Sequence, residues 1–230
     1  MANIAIITAR GGSKRIPKKN IKEFCGKPII AYSIKAAAES GCFDEIMVST
    51  DSKEIADIAI KYGALVPFMR SSRNSDDYST TSDVLLEVIN NYLNRNIEFQ
   101  FGCCIYPTAP FIDGDKIKQG MAKLQKSDSD TVFPMVPFSY PPQRGYVQNG
   151  DGFVMKYPEC LNMRSQDMEK IYHDSGQFYC FRIASLLRDG SLLTGKINGI
   201  IVSDMEVQDI DTIEDWKLAE VKYRFNHKMD

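Results

Sequence analysis

Ile4-Ala5-Ile6-Ile7-Thr8-Ala9-Arg10-Gly11-Gly12-Ser13-Lys14-Arg15-Ile16-Pro17-Lys18-Lys19-Asn20 joins two contrasting kinds of sequence. Ile4 to Ile7 is a continuous apolar run, as a strand buried on both faces requires. Two glycines follow, and then a dense set of cations: Arg10, Lys14, Arg15, Lys18 and Lys19 fall within ten residues. Gly11 and Gly12 let the backbone approach a ligand and turn amide N–H groups toward it. Together with Ser13 and the clustered cations they suit a triphosphate. A charge run is more often a solvated loop. This one directly follows a buried strand, where α/β sheets bind their ligands, so the phosphate reading ranks first. The spacing is neither that of a Walker A loop nor GxGxxG, which disfavours a dinucleotide fold.

Outward from this loop, strands alternate with helices. Pro28 is expected to open a helix that buries Ile30, Ile34, Ala37 and Ala38 and closes at Gly41. Glu45 to Thr50 reads as a strand. Asp51 or Ser52 then caps a helix with Ile55, Ile58, Ala59 and Tyr62 inward and Gly63 at its end. Leu85, Val88, Ile89 and Tyr92 mark a third helix, and Phe101 to Tyr106 another strand, followed by the turn Pro107-Thr108-Ala109-Pro110. A helix over 113–127 and a strand from Thr131 to Met135 come next. The pattern breaks over 137–174, where Pro141-Pro142, Asn149-Gly150 and Asp151-Gly152 signal turns and Gly152 to Met155 suggests a hairpin arm. It resumes with Gln177 to Ile183, Ile197 to Val202, and a last helix capped by Thr212-x-x-Asp215 with Trp216 and Ala219 inward. The expected fold is α/β: a Rossmann-like, mostly parallel sheet flanked by helices, with a protruding hairpin or dimerisation arm, all in one domain spanning 1–230. The loops after Thr8, Thr50 and Tyr106 should converge on one crevice.

Composition narrows the function. A net charge of −2 over 230 residues draws the chain to neither nucleic acid nor anionic membranes. Two histidines, His173 and His227, and six cysteines without a CxxC pair do not make a His/Cys metal site, and Cys103-Cys104 reads as small buried side chains. The first apolar run is too short for a signal peptide or a membrane span, so a reducing cytoplasm is expected.

Two further motifs carry chemistry. In Val207-Gln208-Asp209-Ile210-Asp211, residues two apart on a strand would project two carboxylates to one side, suited to Mg²⁺; the bland alternative is a turn with an N-cap aspartate. In His173-Asp174-Ser175-Gly176-Gln177-Phe178-Tyr179, polar groups crowd ahead of an apolar strand. That suits a hydroxylated substrate, and nearly as well a plain turn. Asp174, Gln177 and Tyr179 are the candidate contacts.

ARGGSKRIPKKN, VSTDS, YPTAPF, HDSGQFY and DIDTIED, in that order over nearly the whole chain, resemble the cytidylyltransferases that activate nonulosonic acids, the CMP-sialic acid synthetases and their relatives. The likeness is nearest to the pseudaminic acid branch, which serves flagellin glycosylation. It implies transfer of CMP from CTP to the anomeric hydroxyl of an acidic nine-carbon sugar, release of pyrophosphate, a Mg²⁺ requirement, and a homodimer formed through the arm. It also implies roles for residues. Arg10 with Gly11, Gly12, Ser13 and Lys14 matches the triphosphate loop, and Lys19 and Asn20 match basic and amide contacts to the nucleotide. Arg70 matches an arginine near the cytosine and phosphates, and Thr81 a nucleotide-contacting serine. Asp209 and Asp211 match the metal pair. Arg10, Lys14, Lys19 and Asp211 are thus the expected catalytic set. Two departures lie on the sugar side: Tyr106 stands where sialic acid synthetases carry glutamine, and His173 where they carry an arginine. Both point to a sugar other than N-acetylneuraminate. An N-acetylneuraminate cytidylyltransferase is the alternative within the family. A ketodeoxyoctonate enzyme is disfavoured, because that group lacks the KKN and HDSGQFY features. A non-catalytic nucleotide-binding protein is the alternative from another class.

Overall fold

A computed structural model describes residues 2–229. Its strands are β1 (Asn3–Thr8), β2 (Glu23–Phe24), β3 (Lys27–Pro28), β4 (Glu45–Ser49), β5 (Phe101–Ile105), β6 (Thr131–Pro137), β7 (Tyr146–Asn149), β8 (Gly152–Met155), β9 (Tyr172–Asp174), β10 (Phe178–Arg182) and β11 (Ile197–Ile201). Its helices are α1 (Ile30–Ser40), α2 (Lys53–Lys61), α3 (Thr81–Leu93), α4 (Gly114–Lys126), α5 (Ile183–Asp189) and α6 (Ile213–His227). The main sheet runs β11-β6-β10-β5-β1-β4, with β9 extending alongside β6. β1 pairs in parallel with β4 and β5, and β11 in parallel with β6.

The apolar run of β1 is buried on both faces. Ala5 and Ile7 pack with α1, α2 and α4 on one side, and Ile4 and Ile6 pack with Leu85, Val88 and Tyr92 of α3 on the other. Cys103 faces the first cluster and Cys104 the second, both fully buried, and all six cysteines are free thiols. A third cluster seats α6 against the β2–β3 ribbon, with Trp216 edge-on to Phe24 at 5.6 Å between ring centroids. Among the described residues no helix is long and apolar enough to cross a membrane.

Helix ends follow their sequence signals. Gly41 closes α1 at φ 62°, Ser52 caps α2 by accepting from the Ile55 amide, and Thr212 with Asp215 forms the capping box of α6. Four expectations need correction. Pro28 does not open α1. It belongs to the β2–β3 ribbon, and the Ile29 amide donates to the Lys22 carbonyl at 3.0 Å, so the helix starts at Ile30. Ala38 is exposed and Ala36 takes its place in the core, while Tyr62 lies past the end of α2 and is exposed. Residues 207–211 are not a strand; they are the extended approach to the α6 cap. β10, whose direction the sequence reading left open, runs antiparallel to both β5 and β6. Its connection from β6 is the 138–171 excursion and β9, a return path with no crossover helix, and a return without a crossover reverses the strand. Within the excursion β7 and β8 form a hairpin apart from the main sheet, with nearly every residue exposed.

The Phe181 ring lies directly over its ladder partner Gly102, which has no side chain: a Cβ there would meet the ring at 2.4 Å. Gly102→Val should therefore lower unfolding stability by roughly 1–3 kcal/mol through overpacking, read as a lower denaturant midpoint at unchanged slope.

Candidate active site

The loop after β1 is built from its own backbone and from neighbours. The Ala9 amide continues the sheet by donating to the Ser49 carbonyl at 2.9 Å. The buried Asn20 side chain donates to the Arg10 carbonyl at 2.8 Å and braces the loop from within. The Gly11 amide donates to Asp51 Oδ1 at 2.7 Å, and a Cβ at Gly11 would lie 3.1 Å from that of Ser52. Gly11 thus serves close packing against the start of α2, and Ser13 and Lys14, rather than the two glycines, line the cleft.

That cleft has a volume of about 600 Å³ at the carboxyl end of β1 and β5, within the range of a small-molecule site. Arg10, Ser13, Lys14, Arg15, Lys19 and Asn20 form one wall. Arg70 and the segment Asn74 to Thr81 form another, and Tyr106 to Thr108 the third. The loop after Thr50 supports it from behind, where the Arg70 amide donates to the Thr50 carbonyl. Buried Arg70 donates from Nε to Ser49 Oγ at 3.0 Å and from Nη2 to the Ser49 carbonyl at 2.5 Å. Burial pushes its guanidinium pKa below the ordinary arginine value.

Each of the five loop cations meets a carboxylate. Arg10 Nη1 reaches Asp77 Oδ1 at 2.8 Å, and Lys14 Nζ bonds the other oxygen of Asp77. Arg15 Nη1 lies 2.9 Å and Lys19 Nζ 3.6 Å from Asp211, and Lys18 pairs with Glu54 at 2.8 Å. The sequence reading did not single out Asp77 or Asp76. Their signal was the polar tract Ser71 to Thr80 ahead of α3, which reads as an ordinary loop until the fold lays it beside the basic segment.

Tyr106 and Thr81 are brought together: Thr81 Oγ1 and the Tyr106 hydroxyl are 3.1 Å apart in the cleft wall. The Tyr106 ring leans on Tyr179, with centroids 5.6 Å apart, and the Tyr179 hydroxyl donates to Asp174 Oδ2 at 2.5 Å. Burial raises the pKa of both tyrosines. Gln177 is buried and donates from Nε2 to the Glu206 carbonyl at 2.7 Å. Tyr179, Asp174 and Gln177 thus stand behind Tyr106, outside the cleft lining. His173 is farther removed: it lies on β9 opposite Val136, with its ring against Phe138 at 4.9 Å.

With this geometry in view, a family model described as Cytidylyltransferase matches residues 4–184. The chain belongs to the cytidylyltransferase family. It is 40% identical over 229 residues to a pseudaminic acid cytidylyltransferase of Campylobacter jejuni, covering 99% of each chain. It is 32% identical over 235 residues to a CMP-N,N'-diacetyllegionaminic acid synthase of Legionella pneumophila, again covering 99% of each. A solved CMP:2-keto-3-deoxy-manno-octonic acid synthetase complexed with CTP shares the fold, with a TM-score of 0.72, 17% identity and complete coverage of both chains.

For a divalent cation, this cytidylyltransferase offers Asp209 and Asp211. Among the described residues no cluster of three or more metal-binding side chains occurs. A three-ligand cage is not required, since Mg²⁺ is commonly held by one or two carboxylates with phosphate oxygens and water. Asp209 is exposed and makes no ion pair among the described residues, while Asp211 is half-buried against two cations of the cleft wall. Their carboxylate oxygens are the hard donors that Mg²⁺ takes, although neither residue lines the cleft and no strand aligns the two.

Lys14 and Arg10, which hydrogen-bond Asp77, hold its carboxyl below the usual carboxylate range. A depressed folded-state value means the pairing is in place above the unfolded value and is lost only as pH falls through the lower one. An NMR titration should show the Asp77 carboxyl carbon turning over below the ordinary midpoint of about 3.9. A normal midpoint would mean that the two cations do not engage Asp77 in solution.

Proposed function

We propose that this cytidylyltransferase transfers CMP from CTP to the anomeric hydroxyl of an acidic nine-carbon sugar, pseudaminic acid, with release of pyrophosphate. The observation that carries the reading is the joining of the cation-lined loop with an aromatic wall at Tyr106 in a single cleft. Full-length similarity to the Campylobacter jejuni enzyme supports the choice of sugar. The ring of Tyr106, with its hydroxyl already engaged by Thr81, favours a less polar sugar face than a glutamine would.

Arg10, Lys14 and Lys19 bind and orient the triphosphate, with Ser13 and Asn20 shaping the loop around it. Arg70 and Thr81 meet the nucleoside side. Tyr106 lies against the sugar, positioned by Tyr179 and Asp174, with Gln177 and His173 farther back as supports. The sugar's anomeric oxygen attacks the α-phosphorus in line, and the bond from that phosphorus to the bridging oxygen of pyrophosphate breaks. Most of the acceleration comes from positioning and charge neutralisation. Asp209 and Asp211 would hold Mg²⁺, which neutralises phosphate charge when bound.

We read residues 1–230 as one cytoplasmic nucleotidyltransferase unit whose arm forms a homodimer. The arm supports this by its exposed side chains, including Phe153 at 71% and Tyr140 at 68% exposure. An isolated hairpin is marginal in water, and exposed apolar clusters mark interaction surfaces. A role in flagellin glycosylation follows from the sugar.

The test is pyrophosphate release from CTP and Mg²⁺ across pseudaminic, N-acetylneuraminic and N,N'-diacetyllegionaminic acids. Pseudaminic acid should give the highest kcat/KM. A preference for another sugar replaces the acceptor assignment, and no release with any supports a non-catalytic nucleotide binder. Asp211→Ala should lower kcat roughly a hundredfold or more while costing at most about 1 kcal/mol of stability, since its ion pairs are half-exposed. Near-normal turnover in that variant would remove the metal assignment.

A further inference from the structure

Among the described residues, Asp77 is the one carboxylate in the cleft wall that meets two cations of the triphosphate loop and has no part in the reading above. It lies 67 positions from Arg10 and 63 from Lys14, so the fold and not local sequence brings them together. Its two oxygens are divided, one to each cation, as two oxygens of a phosphate would be. Arg10 Nη1 adds a bond to the Asp76 carbonyl at 2.8 Å, so the loop presents an acceptor pair to the guanidinium.

The presenting loop is itself fixed. The Asp76 carboxylate accepts from the Tyr78 amide at 3.0 Å, the Ser79 amide at 2.8 Å and the Ser79 hydroxyl at 2.7 Å. Thr80 and Asp83 form the capping box that starts α3 immediately afterwards, and Glu87 of that helix ties down Ser71 and Asn74. Asp77 is therefore held out toward Arg10 and Lys14 by a turn whose geometry does not depend on them. The contact is also weakly bound: the side chains of Arg10, Lys14 and Asp77 are 37%, 77% and 41% exposed, and ion pairs at such exposure are worth little.

We propose that Asp77 is a built-in competitor for the polyphosphate, a carboxylate that holds Arg10 and Lys14 in gripping positions and is displaced when a nucleoside triphosphate takes them. It then sets how tightly the cleft binds triphosphate, because each incoming phosphate exchanges one anion for another instead of meeting bare cations. This rests on the reading of the cleft as the CTP site.

The experiment is calorimetric titration of the full chain with inorganic tripolyphosphate in EDTA and, separately, with CTP. Four proteins are compared: the unaltered chain, Asp77→Asn, Asp77→Glu and Glu54→Gln. Glu54→Gln makes the same change in net charge but frees Lys18, which lies outside the cleft lining. Asp77→Asn should tighten tripolyphosphate about threefold to tenfold, the loss of two half-exposed pairs. Asp77→Glu should stay near the unaltered chain, and Glu54→Gln should shift binding by less than about twofold, as a screened distant charge does. Unchanged or weaker binding by Asp77→Asn overturns the proposal, as does an equal gain in Glu54→Gln, which would mean a general field effect. If the unaltered chain binds neither ligand, the CTP reading falls and this proposal with it. If it binds both and Asp77→Asn changes nothing, only the proposal falls. Matching melting temperatures across the set exclude misfolding as the cause.

Discussion

Five like charges within ten residues repel one another, and a loop carrying them keeps one shape only if that repulsion is offset. Here three carboxylates do so from separate places: Glu54 on α2, Asp77 on the loop before α3, and Asp211 just ahead of α6. The Lys19 ammonium also reaches the Ile210 carbonyl, 191 positions away. The basic loop is thus not a self-contained motif. Its partners come from α2, from the loop before α3 and from the segment ahead of α6, far apart in the chain and brought together only by the fold.

The sheet supplies the fixed frame. β1 lies between β4 and β5 and is buried on both faces, so the direction in which its chain leaves toward Arg10 is set by packing from two sides. At the same end β5 delivers Tyr106. The antiparallel entry of β10 then lets the Tyr106 amide donate to the Gln177 carbonyl at 2.9 Å, which extends the β5–β10 ladder by one step beyond both strands. Had β10 been parallel, the HDSGQ segment would lie at the opposite end of the sheet. The reversal is what puts Tyr179 and Asp174 behind Tyr106.

This explains what could and could not be read in the chain. The buried strands and helix caps carry local signals, such as Gly41, Ser52 and the Thr212–Asp215 box, and each is found where its chemistry places it. That the basic loop would form a cleft wall was legible because it directly follows a buried apolar strand, at the end of an α/β sheet where clefts form. Asp77 was not legible, because an aspartate in a polar loop looks the same whether it faces solvent or a distant lysine. The strand expected at Val207 to Asp211 failed for a related reason: a short Asp-x-Asp stretch fits an unpaired segment as well as a strand, and only a pairing partner distinguishes them. The orientation of β10 was hidden because strand direction depends on the connection, and the connection was the one stretch without regular periodicity.

The topology also separates two kinds of recognition. The charged groups that line the cleft come from the loop after β1 and the loop before α3, both attached to the parallel half of the sheet. The groups behind Tyr106 come from β10 and from β9, the last strand of the excursion that carries the hairpin arm. In the cleft wall Tyr106 joins the halves, through Thr81 on one side and Tyr179 on the other, beyond the β5–β10 ladder that pairs them along the sheet. No residue of β9 or β10 takes part in the cation and carboxylate pairs of the basic cleft wall, so side chains on the β9–β10 side can vary without disturbing those pairs. A family that keeps one nucleotide and changes its sugar needs this division, and the antiparallel insertion supplies it.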